Sequence, residues 1–135
     1  MLRKQWWFAL SLGVSLLWLS GCGGAAGPVA VELQAADNGS AVEVAAGGSV
    51  KITLEGNPST GYTWEAKDLD AALLEQGGEA AFVSDSPDLL GAGGKLTFTF
   101  KALKAGTTKL TLIYHRPWET DVEPVDTFSV NVTVK

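Results

Sequence analysis

Ser59, Thr60 and His115 are the residues of this 135-residue chain that could carry nucleophilic chemistry, with any of several carboxylates as a third member. A hydrolase built on them would need the imidazole to take a hydroxyl proton and an acid to hold the ring. The pattern around them does not favour that. No Gly-x-Ser-x-Gly elbow surrounds either hydroxyl, and His115 is the sole histidine, at the end of a strand-like run. A solvated or structurally bonded histidine is the simpler reading. Metal chemistry is poorly served as well, because one His and one Cys offer no ligand spacing, and Asp85 and Asp88 around Ser86-Pro87 do not form an ordered calcium loop. The chain reads as a non-enzyme without metal or cofactor.

The same hydroxyls belong to a segment better suited to binding. In Asn57-Pro58-Ser59-Thr60-Gly61-Tyr62, Pro58 fixes its own φ and pushes Asn57 toward extended geometry. Gly61 permits positive φ, and Asn57 can bond the backbone of its own turn. A stiff exposed loop between two strands is a binding element. Two further segments interrupt strong strands: Gly91-Ala92-Gly93-Gly94 and Arg116-Pro117-Trp118-Glu119. Trp118 follows a proline and precedes a polar stretch, so it is expected in solvent, whereas Trp64 shares a strand face with Tyr62 and is expected in the core.

The elements that must position these loops are strands. Val50, Ile52 and Leu54 alternate with Lys51, Thr53 and Glu55; Leu96, Phe98 and Phe100 alternate with Thr97, Thr99 and Lys101. The pattern recurs at Leu110, Leu112 and Tyr114 and again at Phe128, Val130, Val132 and Val134. Turn signals at Asp37-Asn38-Gly39, Gly47-Gly48, Gly77-Gly78 and Ala105-Gly106 separate the runs. Asp70 to Gln76 has room for one short helical turn. About seven to eight strands in one small domain predict an immunoglobulin-like antiparallel β-sandwich, with loops gathered at its two ends. If the three segments share an end, they form one three-fingered surface. Trp64, Phe98, Phe100, Tyr114 and Phe128 must supply much of the apolar burial, since a single cysteine leaves no internal disulfide.

The first residues read as an address. Arg3 and Lys4 precede an apolar run from Trp6 to Leu19, and Leu19-Ser20-Gly21-Cys22 resembles the lipobox of bacterial lipoproteins. That resemblance implies a signal peptide over 1–21, a lipid-bearing Cys22 with a flexible tether over 22–28, and a folded domain over 29–135. The localisation it implies is the cell envelope, lipid-anchored to the periplasmic or extracellular face of a bacterial membrane. The formal net charge of −5 becomes −7 without Arg3 and Lys4, which disfavours nucleic acid and leaves membrane attachment to Cys22. Asn131-Val132-Thr133 matches a glycosylation sequon but reads as ordinary alternating strand.

Taken together, the segments at 57–62, 91–94 and 116–118, in that order with strands between, resemble the chagasin family of cysteine peptidase inhibitors. The resemblance implies a reversible, monomeric inhibitor whose three loops enter the active-site cleft of papain-like cysteine proteases. It puts Ser59 and Thr60 at the tip nearest the catalytic cysteine, flanked within the loop by Asn57, Pro58, Gly61 and Tyr62. Gly91, Gly93 and Gly94 then approach one side of the cleft backbone to backbone. Trp118 takes the other side, with Pro117 stiffening its loop and Arg116 bracing it or bonding the enzyme. Family members often carry Thr where this chain has Ser59, which keeps the hydroxyl and lacks the methyl. The competing reading is a cell-envelope binding or adhesion lipoprotein on the same fold.

Overall fold

The computed structural model describes residues 29–135. The expected signal peptide, Cys22 and the tether through residue 28 lie outside the described residues.

Nine strands make two packed sheets: β1 (Ala30–Gln34), β2 (Ala41–Val44), β3 (Ser49–Gly56), β4 (Thr63–Lys67), β5 (Leu74–Gln76), β6 (Ala81–Ser84), β7 (Gly94–Ala102), β8 (Gly106–His115) and β9 (Asp126–Val134). One sheet runs β1-β3-β7-β5, with β6 also on β7, and the other runs β2-β9-β8-β4. Two short 3₁₀ turns, Ala35–Asp37 and Pro58–Thr60, are the helical structure among the described residues.

The alternating residues meet between the sheets. Val50, Ile52, Leu54, Leu96, Phe98 and Phe100 come from one sheet, and Leu110, Leu112, Phe128, Val130, Val132 and Val134 from the other; all are buried. Trp64 is buried with them, and Tyr114 packs against the cluster from its edge. Side chains of period two put every second residue on one face, so the sequence pattern and the core coincide. Burial at roughly 25 cal/mol per Å² across this set stands in for the disulfide that many sandwiches carry.

The sandwich departs from the expectation in two ways. It has nine strands, because β5 and β6 are short successive pieces lying along one edge of β7. It is not antiparallel throughout: β1 pairs parallel with β3, and β2 parallel with β9. The cause is a crossing. β1 runs up the edge of one sheet, the turn at Ala35–Asp37 carries the chain across, and β2 runs down the edge of the other. Asn38 secures that crossing, accepting from Ser129 N at 2.9 Å and donating from Nδ2 to Thr127 O at 3.1 Å. The single turn for which Asp70 to Gln76 has room is present at its start, with Leu73 N and Leu74 N both donating to Asp70 O, and strand β5 follows at once. Leu73 and Leu74 are buried, so packing claims the apolar residues before a helix can propagate.

Strand direction decides where the loops emerge. β3 rises from Ser49 to the central loop, while β7 descends from Gly94 and β8 rises to His115. Hence the loops at 57–62, 85–93 and 116–125 leave the same end. The segment entering at Val29 and the turns at 45–48 and 103–105 lie at the other. Phe100→Ala, at a wholly enclosed position, is expected to cost about 3–5 kcal/mol, whereas Thr99→Ala on the outer face should stay within about 0.5 kcal/mol. Urea unfolding of both variants checks this, and equal losses would contradict the two-sheet core.

Candidate functional site

The central loop is held by its first residue. Asn57 is extended, with φ −137° and ψ 94°, and its Oδ1 accepts from Ser59 N at 3.1 Å and from Ser59 Oγ. Its carbonyl accepts from Thr60 N at 3.1 Å and from Thr60 Oγ1 at 2.6 Å. Gly61 N donates to Pro58 O at 3.0 Å, and Gly61 closes the turn at φ +81°. Pro58, Ser59 and Thr60 project into solvent on a curled 3₁₀ turn. The proline at the first position and the glycine in the left-handed region are the residues such a turn requires.

Beneath it stands an aromatic column. Asn57 N donates to Tyr114 Oη at 3.1 Å, and the Tyr114 ring stacks on Trp64 with centroids 5.0 Å apart. Tyr114 also meets Tyr62 at 5.4 Å, and the Arg116 guanidinium lies 4.4 Å over the Tyr62 ring. Trp64 Nε1, on β4 of one sheet, donates to Glu55 O, on β3 of the other, at 2.9 Å, so the base of the column ties the two sheets together. Buried aromatic rings with polar tips find partners in this manner.

The flanking loops lock to the central one. Asn57 Nδ2 donates to Gly91 O at 2.9 Å, and Ser59 Oγ lies 3.4 Å from the same oxygen. On the opposite flank, the Trp118 ring lies so close over Gly61 that a Cβ there would collide with its Cη2. Trp118 nonetheless keeps 66 % of its surface exposed. Arg116 holds its loop by stacking on Tyr62 and by placing Nη1 3.4 Å from Glu119 Oε1, while Glu119 N donates to Arg116 O at 3.0 Å. The three segments are therefore adjacent, with 57–62 in the middle.

Not every expected residue faces outward. Gly91 is exposed, at φ +77°, and Gly93 is half-buried with its carbonyl accepting from Asp85 N at 3.0 Å. Gly94 differs from the expectation. It is buried as the first residue of β7, between Gly56 and Ser84, and a Cβ would strike Val83 O and the Phe82 ring. Its missing side chain lets β6 close on β7, so its role is in the sheet and not on the loop surface. Three residues of the site escape the sequence pattern: Tyr114, whose hydroxyl supports the loop, and Leu89 and Leu90, which project beside Gly91. For the last two a signal exists in the sequence, namely two leucines stranded between Ser86-Pro87-Asp88 and Gly91, outside any alternating run.

The chemistry of catalysis is not assembled. His115 Nε2 lies 2.7 Å from Glu65 Oε2 on the outer face of the β4–β8 pair, and no hydrogen bond joins it to either hydroxyl. Both hydroxyl protons are directed to acceptors inside the loop clasp. Among the described residues, no group of three or more His, Cys, Asp or Glu side chains could hold a metal ion.

The chain is similar to known proteins in sequence and in fold. The profile described as Chagasin family peptidase inhibitor I42 matches residues 43–132. Amoebiasin-1 of Entamoeba histolytica is 30% identical over 73% of this chain and 94% of its own length. Chagasin of Trypanosoma cruzi is 36% identical over 70% of this chain and 89% of its own. The crystal structure of a cysteine protease inhibitor from Entamoeba histolytica superposes with a TM-score of 0.70 at 25% identity, covering 78% of this chain and 96% of that one. A family match across most of the folded domain, on a sandwich that brings three loops together at one end, has one meaning: the chain belongs to the chagasin family of peptidase inhibitors.

Proposed function

We propose that this protein is a reversible inhibitor of papain-like cysteine proteases that occludes the active-site cleft with the loops at 57–62, 91–94 and 116–118. The observation that carries the proposal is the clasp: one side chain, Asn57, joins the central loop to Gly91, and Gly61 receives Trp118 on the other flank. A wedge made this way enters a cleft as a unit and loses little conformational freedom on binding.

In this reading Ser59 and Thr60 fill the space at the catalytic cysteine. A substrate must lie extended for its carbonyl to be attacked, whereas residues 58–60 are curled and closed by bonds to Asn57 O and Pro58 O. Opening them would break those bonds, so the loop blocks the site without being cut. Leu89, Leu90 and Trp118 supply exposed apolar surface on the two flanks, and an interface of about 800 Å² per partner is the usual size for such complexes. Gly94 contributes by shaping the edge from which the Gly91 loop springs. The adhesion reading has no comparable feature, and the chain's family is one of inhibitors.

The bacterial lipoprotein form belongs to the same proposal. The Leu19-Ser20-Gly21-Cys22 segment supports cleavage after Gly21, lipid on Cys22 and residence on the periplasmic or extracellular face of a membrane.

Titrating the chain from Cys22 onward into a papain assay should give stoichiometric, reversible inhibition; none at micromolar concentration would refute the function. Trp118→Ala should raise the inhibition constant about 10- to 100-fold and Ser59→Ala by less, with Asn131→Ala unchanged. Equal losses from all three would instead indicate misfolding. Gly61→Ala forces the Trp118 ring off its seat and strains the left-handed turn, so Trp118 fluorescence should shift toward full solvation as affinity falls. An unchanged spectrum would contradict the packing of the third finger. For the anchor, Cys22→Ser should move the protein from the membrane fraction to the soluble one, and a wild-type protein free of lipid by mass spectrometry would overturn that part alone.

A further inference from the structure

The two ends of the sandwich do different work, and the chain entering at Val29 decides which end faces a membrane. Ser49 N donates to Val29 O at 3.2 Å, and Ala30 is registered opposite Ser49, the first residue of β3. The central finger begins one residue beyond Gly56, at the far end of that same strand. From Ser49 to Gly56 the strand rises about 23 Å at 3.3 Å per residue, and the finger tips project beyond it.

The leash is short compared with that height. Seven residue steps separate Cys22 from Val29, reaching roughly 24 Å only when fully drawn out. Fully extended along the domain, the leash brings Cys22 about level with Gly56 and still short of the tips. No room then remains for a protease between the fingers and the bilayer.

The geometry points to a domain that, when lipidated at Cys22, stands with its three fingers away from the bilayer and captures proteases that arrive from the aqueous phase with their clefts turned toward the membrane. This rests on the inhibitory and lipoprotein readings above and adds the direction of action. A protease embedded in the same membrane, with its cleft at headgroup level, is outside its reach. Charge reinforces the posture. At the finger end Asp85, Asp88, Asp121 and Glu123 are exposed, with Lys95 as the nearby exposed cation. At the tether end exposed Asp68 and Asp70 are offset by Lys67 and Lys104, Lys101 is registered opposite Glu75, and Lys135 pairs with Glu43 at 2.9 Å. Anionic headgroups therefore repel the finger end more than the tether end.

Cys22 is the single cysteine of the chain, so the attachment point can be moved. The chain from Cys22 onward, which contains both sheets and the whole core described above, is coupled to phosphatidylcholine vesicles bearing a maleimide lipid. One version uses Cys22, and the other uses Cys22→Ser with Asp88→Cys at the finger end. Soluble papain is the probe, and each protein is first assayed uncoupled to show that it folds and inhibits. Coupling through Cys22 should leave the inhibition constant within about threefold of the free domain. Coupling at position 88 should raise it at least tenfold. In parallel, a nitroxide headgroup lipid should quench Trp118 fluorescence only in the version coupled at position 88. Loss of inhibition and quenching of Trp118 on coupling through Cys22 would overturn the inference. If the uncoupled domain does not inhibit papain, the inhibitory reading fails, and the quenching arm still decides the orientation.

Discussion

Asn57 is the residue through which the site is held together. Its backbone N–H is pinned from below by Tyr114 Oη, its carbonyl receives Thr60, and its carboxamide divides between Ser59 on one side and Gly91 on the other. Each of these bonds is worth only about 1 kcal/mol in net stability. Their joint effect is geometric. They convert a six-residue loop and a glycine-rich loop into one body seated on the Tyr114–Trp64 stack, which is continuous with the hydrophobic core. The stiffness of the binding end is thereby inherited from the packing between the sheets.

Trp118 enters the assembly differently. No hydrogen bond holds it to the central loop; it leans on the bare face of Gly61, and the absence of a side chain there is what admits the ring. Arg116 does the holding, with its guanidinium on Tyr62 and its Nη1 toward Glu119. The third finger is thus attached by stacking and shape, while the second is attached by polar bonds. The Arg116 side chain remains about one-third exposed while it makes these contacts. These contacts brace the 116–119 segment against the central loop.

Much of this architecture is legible in the amino-acid sequence. The period-two runs at 50–54, 96–100, 110–114 and 128–134 identify the core residues almost one for one, because a strand buried on one face has no other way to distribute its side chains. Pro58, Gly61 and Asn57 likewise announce the turn they make. What escapes is non-local. The parallel edges β1 and β2 depend on where the chain crosses between sheets, and alternation carries no sign of direction. Asp70 to Gln76 carries apolar residues compatible with a helix, and tertiary burial of Leu73 and Leu74 makes all but one turn of it strand. Gly94 looks like its neighbours Gly91 and Gly93 in sequence, yet its register opposite Gly56 and Ser84 makes it a packing residue. Tyr114 reads as core because its ring is; only the fold shows that its hydroxyl reaches a residue 57 positions away.

The proposed mode of inhibition is that of three separate loops acting as one preformed wedge in a cysteine protease cleft. A crystal structure of the chain from Cys22 onward bound to papain puts it to the sharpest test. Ser59 and Thr60 should lie over the catalytic cysteine, with the loops at 91–94 and 116–118 on opposite sides of the cleft and the Asn57 to Gly91 bond still in place. Contact through the end that bears Val29, or a central loop found extended or cleaved in the cleft, would contradict the wedge.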